Sequence, residues 1–114
     1  MTVDCAHPYD LAVFWAKVLG SQVAADSGPD DPWVVVPAGG VEMLFGRVPE
    51  GKTVKNRLHV DLQPSDRTGD QEGARLLSLG ADRLADVSEG PLGWVVLADP
   101  EGNEFCVLHG ASER

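Results

Sequence analysis

Basic residues are scarce in this chain. Lysine and arginine number 9 against 18 aspartates and glutamates, a formal net charge of -9 over 114 residues. A surface with that balance repels phosphate backbones and anionic headgroups, so neither nucleic acid nor a membrane surface is an expected partner. Cysteine is rarer still: Cys5 and Cys106 are the only two, without CxxC spacing, and they read as free thiols rather than as a disulfide framework. No charged start followed by an apolar stretch suggests export, and a cytoplasmic location is expected. The longest nearly uncharged run, around Trp33 to Val41, is broken by Pro37, Gly39 and Gly40 and falls far short of a membrane span. The chain also lacks a Gly-x-Gly-x-x-Gly after a strand, a P-loop lysine and a Gly-x-Ser-x-Gly elbow, which leaves nucleotide-dependent and serine-hydrolase chemistry unsupported.

What the chain has is an internal repeat. Apolar residues make up 43% and charged residues 24%, ordinary values for a packed domain, and the length suits one core rather than two. Leu19-Gly20 with Ala25-Asp26 recurs as Leu79-Gly80 with Ala85-Asp86, an offset of 60. Trp33-Val34-Val35-Val36 recurs as Trp94-Val95-Val96-Leu97 at 61, Glu42 to Phe45 recurs as Glu104 to Val107 at 62, and Val3-Asp4 echoes Val60-Asp61 at 57.

Each copy carries the same succession of signals. Thr2 to Ala6 and Leu58 to Gln63 read as first strands. Pro8 and Asp10 open a helix whose apolar side is Leu11, Phe14, Trp15, Val18 and Leu19, and Gly20 stops it. In the second copy Asp66 or Asp70 is the expected cap, Ala74, Leu76, Leu77 and Leu79 the apolar side, and Gly80 the stop. Three strands are expected behind each helix: Gln22 to Ala25, Trp33 to Val36 and Val41 to Arg47, then Arg83 to Val87, Trp94 to Ala98 and Glu104 to Leu108. The predicted fold is α+β, a single domain of two βαβββ modules, about 1–47 and about 57–114, joined by a linker of about 48–56.

Paired βαβββ modules are the organisation of the vicinal oxygen chelate superfamily, which includes glyoxalase I, extradiol dioxygenases and bleomycin-resistance proteins. The chain resembles this superfamily, and its small glyoxalase-like members in particular, through Leu11 to Gly20, Asn56 to Leu62 and Asp99 to Leu108, the Asp-Pro-Glu-Gly-Asn turn being the most specific part. The resemblance implies modules pairing into a cup-shaped, strongly curved mixed sheet, frequent homodimerisation, and in metal-using members up to four ligands from first and last strands. At those positions stand His59, Cys106, Leu44 and either Thr2 or the position before Met1. One His and one Cys fall short of the three protein ligands of a catalytic metal site, so no metal and no other cofactor is expected. The alternative is a divalent transition metal on a shifted set, His59, Glu104 and Glu42, since residues two apart share a strand face.

His59 and Asp61 are the candidate catalytic pair, a titratable imidazole beside a carboxylate. Asp4, Glu42, Leu44, Glu104, Cys106 and Trp94 are the candidate lining of a ligand pocket. Phe14 and Trp15 are expected in the core. Trp33 and Trp94 start equivalent strands, where packing under the sheet is expected and stacking beside a ligand is the alternative. His7 falls at a helix start and His109 near an exposed end; neither reads as catalytic. The function expected is binding of a small organic molecule without an intact four-ligand metal centre. A metal-assisted lyase, isomerase or dioxygenase using His59 is the first alternative, and a dimerising sequestration module the second.

Overall fold

The computed structural model describes residues 1–109 and divides the chain into two compact units, Met1–Thr53 (module one) and a second unit beginning at Val54 (module two). In chain order the elements are β1 (Thr2–Cys5), α1 (Pro8–Leu19), β2 (Trp33–Ala38), β3 (Val41–Arg47), β4 (Asp61–Leu62), α2 (Gly69–Leu79), β5 (Asp82–Glu89), β6 (Leu92–Ala98) and β7 (Glu104–Leu108). The fold is mixed α+β, with one small open sheet and one helix in each module.

Module one is a three-stranded sheet in the order β1-β3-β2, β1 parallel to β3 and β2 antiparallel to it. Helix α1 starts with Pro8 at its first position, where the missing N–H costs nothing. It ends on Gly20 at φ 65°, with Ser21 N–H donating to Ala16 O and Gly20 N–H to Lys17 O. Its Leu11, Phe14, Trp15 and Val18 are buried with Val34, Val36, Met43 and Phe45 of the sheet, so Phe14 and Trp15 lie in the core as expected.

Module two repeats this plan with one strand more, in the order β4-β7-β6-β5. The cap of α2 is Thr68, not Asp66 or Asp70: its hydroxyl accepts Gln71 N–H while Gln71 Oε1 accepts Thr68 N–H. Asp66 is instead engaged by Arg67 at 3.0 and 3.1 Å, which holds its carboxyl below the usual range. The buried line of α2 is Gly69, Glu72, Gly73 and Leu76, whereas Ala74 and Leu77 face solvent, contrary to expectation. The 3.6-residue period selects that line, and the partly covered Glu72 is matched by Arg75 at 2.7 Å and Arg67 at 3.3 Å. On the sheet, Val95, Leu97, Phe105 and Val107 are buried.

Two further expectations are corrected. Gln22 to Ala25 does not form a strand; a single bond from Ala24 N–H to Val35 O runs alongside β2, and the Asp-Ser-Gly-Pro-Asp-Asp segment leads away before a ladder develops. The first-strand offset is 59 rather than 57. Leu44 N–H donates to Met1 O at 2.8 Å as Cys106 N–H donates to Val60 O at 2.9 Å, and Thr2 pairs with Leu44 as Asp61 pairs with Cys106. Ladder register thus overrides the Val-Asp dipeptide match, and His59 corresponds to the position before Met1.

Candidate functional site

The alternation of a strand sends successive side chains to opposite faces. In β6 and β7, Val95, Leu97, Phe105 and Val107 take one face, which leaves Leu92, Trp94, Val96, Glu104, Cys106 and Leu108 on the other. A cavity of about 650 Å³ lies there, completed by Lys55, His59, Asp61, Gln63, Gly93 and His109. Every one of these residues belongs to module two.

At the polar end, β4 runs parallel to β7 with Asp61 opposite Cys106. This register brings three titratable groups together: His59, Asp61 and Cys106 each offer a ligand atom within 4.8 Å of the others. His59 Nδ1 lies 3.1 Å from Asp61 Oδ1 and 3.9 Å from Cys106 Sγ. An ionised carboxylate only accepts, so the Nδ1 proton points at Asp61 and Nε2 is the basic nitrogen. The side chains of His59 and Asp61 are 40% and 52% exposed, which gives a ligand access to both. Cys106 is buried, and that burial first, then the charge and hydrogen bonding of Asp61, push its thiol up; Lys55 pulls weakly the other way.

The structure therefore gathers His59, Asp61, Glu104, Cys106 and Trp94 of the predicted site residues. Glu104 Oε2 accepts Asn56 N–H at 3.1 Å, and Asn56 Nδ2 donates to the Glu104 carbonyl at 3.3 Å, so Glu104 fastens the approach to β4 onto β7. Asp4, Glu42 and Leu44 lie in module one, on the sheet face opposite Val34, Val36, Met43 and Phe45; Asp4 is across from Gly46 and Glu42 from Pro37.

The paired tryptophans part company. Trp94 is half-buried on the cavity wall, with the underside of the sheet left to Val95 and Leu97. Trp33 is 58% exposed rather than packed beneath its sheet; its ring lies over Gly46, where a β-carbon would collide with it. Lys55 carries no signal in the sequence, and His109, expected only near an exposed end, lines the cavity. Leu92, Val96 and Leu108 were within reach of period-2 reasoning, being spaced by two from Trp94 and Cys106. Lys55 and His109 lie outside the strands, where no period applies.

Donor spacing is the test of whether these residues suit a metal. Tetrahedral coordination at ordinary Zn–N and Zn–S lengths sets donors roughly 3.4–3.8 Å apart. The observed 3.1 and 3.9 Å lie just outside that spacing on either side, so small shifts of His59, Asp61 and Cys106 suffice to surround a single ion.

The glyoxalase-like domain family matches residues 1–108. No curated protein matches the chain. Among solved structures, a glyoxalase/bleomycin resistance protein/dioxygenase family enzyme from Burkholderia phytofirmans PsJN is 17% identical, with a TM-score of 0.74, covering 95% of this chain and 94% of that one. A mutant of the fosfomycin resistance protein FosX from Listeria monocytogenes, complexed with Mn(II) and 1S,2S-dihydroxypropylphosphonic acid, is 14% identical at a TM-score of 0.75, covering 96% and 86%. Oxidase ChaP-H2 is 18% identical at a TM-score of 0.70, covering 96% and 90%. At these identities the likeness concerns the fold, and together with the family match over nearly the whole sequence it shows that the chain belongs to the glyoxalase-like domain family of the vicinal oxygen chelate superfamily.

Proposed function

We propose that the protein binds a small organic molecule in the module-two cavity. The observation that carries this reading is the make-up of the wall. Leu92, Trp94, Val96 and Leu108 supply apolar surface, and the His59–Asp61 pair supplies a hydrogen-bonding end, within a volume typical of ligand pockets. Trp94 offers a flat surface to an aromatic or branched ligand, and His59 Nε2 accepts a hydrogen bond from the ligand's O–H or N–H. Sequestration needs nothing beyond this, and the bleomycin-resistance relatives make it a natural use of the scaffold.

Catalysis is the second reading, favoured by the 3.1 Å contact that fixes the His59 tautomer with its basic nitrogen available. In it His59 moves a proton and Asp61 positions it; among the structural neighbours, ChaP-H2 is named an oxidase.

The test uses N-phenyl-1-naphthylamine, an uncharged fluorescent probe that the acidic surface does not repel. The wild-type chain is expected to bind it saturably at one site. Val96→Trp, which fills the cavity, is expected to reduce affinity at least tenfold. Equal binding by that variant, or no binding by the wild type, removes the proposal.

A further inference from the structure

A two-donor count from the first- and last-strand positions leaves Asp61 out. The ladder puts Asp61 directly opposite Cys106 and within 3.1 Å of His59, which makes three donors from one module. We propose that His59, Asp61 and Cys106 form a binding site for a thiophilic divalent ion of the Zn(II) type, held by module two alone. This goes beyond ligand binding in the cavity and does not depend on it.

Three features of the site converge on that ion. The donors are one imidazole, one carboxylate and one thiol, a mixed set that favours Zn(II) or Co(II) over Mn(II), the ion carried by the FosX complex. The spacing of 3.1 and 3.9 Å needs little adjustment to surround a single ion. Charge closes as well: an ionised Asp61, a Cys106 thiolate and a divalent ion sum to zero, which removes the cost of placing a thiolate on a buried strand beside a carboxylate. The fourth coordination position is left to water or to a ligand in the cavity.

The proton balance is definite. The ion takes the place of the Cys106 thiol proton, which leaves to solvent. His59 binds through Nδ1 and its single proton moves to Nε2, so the imidazole stays neutral. The Asp61 carboxylate, already ionised, exchanges its bond to His59 for the ion. One proton is released per ion bound, and affinity rises with pH.

Co(II) titrated into the metal-free full chain tests this by a readout independent of activity. Expected is a sulfur-to-cobalt charge-transfer band that saturates at one ion per chain, is displaced by Zn(II) and survives excess Mn(II). Calorimetry in buffers of different ionisation heat should report the single proton. Cys5→Ser should keep the band, Cys106→Ser should abolish it, and Asp61→Asn, a change at an exposed carboxylate, should weaken Co(II) binding roughly tenfold or more. Absence of the band, its loss in Cys5→Ser, its persistence in Cys106→Ser, or ready displacement by Mn(II) overturns the site. Probe binding to the metal-free chain is measured separately, so failure of the metal site leaves the ligand-binding proposal standing, and the reverse.

Discussion

Cys106 sits between Phe105 and Val107, two buried apolar neighbours, yet faces the opposite side of β7, where Asp61 meets it. Its thiol is held above its ordinary range by burial first and by Asp61 second. Because the folded value exceeds the unfolded one, the folded state binds this proton more tightly, and stability declines as pH rises above the ordinary thiol range. In a Cys5→Ser background of the metal-free chain, iodoacetamide is expected to alkylate Cys106 slowly at neutral pH. Asp61→Asn removes the negative charge and should speed alkylation several-fold; no acceleration would show that Asp61 does not control the thiol. The sequence made His59 and Asp61 legible as a pair, because neighbours two apart on a strand share a face. It could not place Cys106 against them, since that contact depends on the register between β4 and β7, and His59, just before β4, is 47 residues from Cys106.

At the scale of elements, the turn into β7 governs where Glu104 and Cys106 stand. Asp99, 2% exposed, accepts the Glu101 and Asn103 backbone N–H groups at 2.9 Å each and the Asn103 side chain at 3.0 Å. Gly102 at φ 88° completes the reversal in a conformation that side chains resist. Asp99→Ala removes the acceptor that gathers these donors in a half-buried turn and should cost about 1–3 kcal/mol by denaturant unfolding; a loss under 0.5 kcal/mol would mean that the turn is set by its backbone alone. Strands β1, β3 and β7 and the first helix could be read from the chain because patterning, Pro8 and Gly20 all agree there, whereas the strand expected over Leu58 to Gln63 is confined to Asp61–Leu62. Gln22 to Ala25 misled because four apolar-rich residues look like a strand whether or not a partner edge is offered, and Ala24 finds only one bond. At α2 two nearby aspartates compete as cap candidates in the sequence, and the capping-box spacing of Thr68 with Gln71 decides the helix start.

For the whole molecule, the repeat is preserved in backbone geometry while its chemistry has diverged. Gly20 and Gly80 end equivalent helices, Val35 and Val96 face Leu44 and Cys106, and the first-strand offset is set by hydrogen bonds rather than by identity. Composition and repeat were enough for the α+β plan; the one-sided cavity needed the structure, because Lys55 and His109 carry no periodic signal. We propose that the chain forms a homodimer through exposed apolar side chains such as Trp33, Val41 and Leu58, and light scattering should report twice the chain mass at micromolar concentration; a monomer throughout would remove the proposal. The central claim is that ligand binding belongs to module two. Probe affinity in Trp94→Ala and Trp33→Ala, the two positions the repeat makes equivalent, tests it most directly. The account predicts at least a tenfold loss in Trp94→Ala and an unchanged affinity in Trp33→Ala, whereas equal losses, or a loss confined to Trp33→Ala, would contradict it.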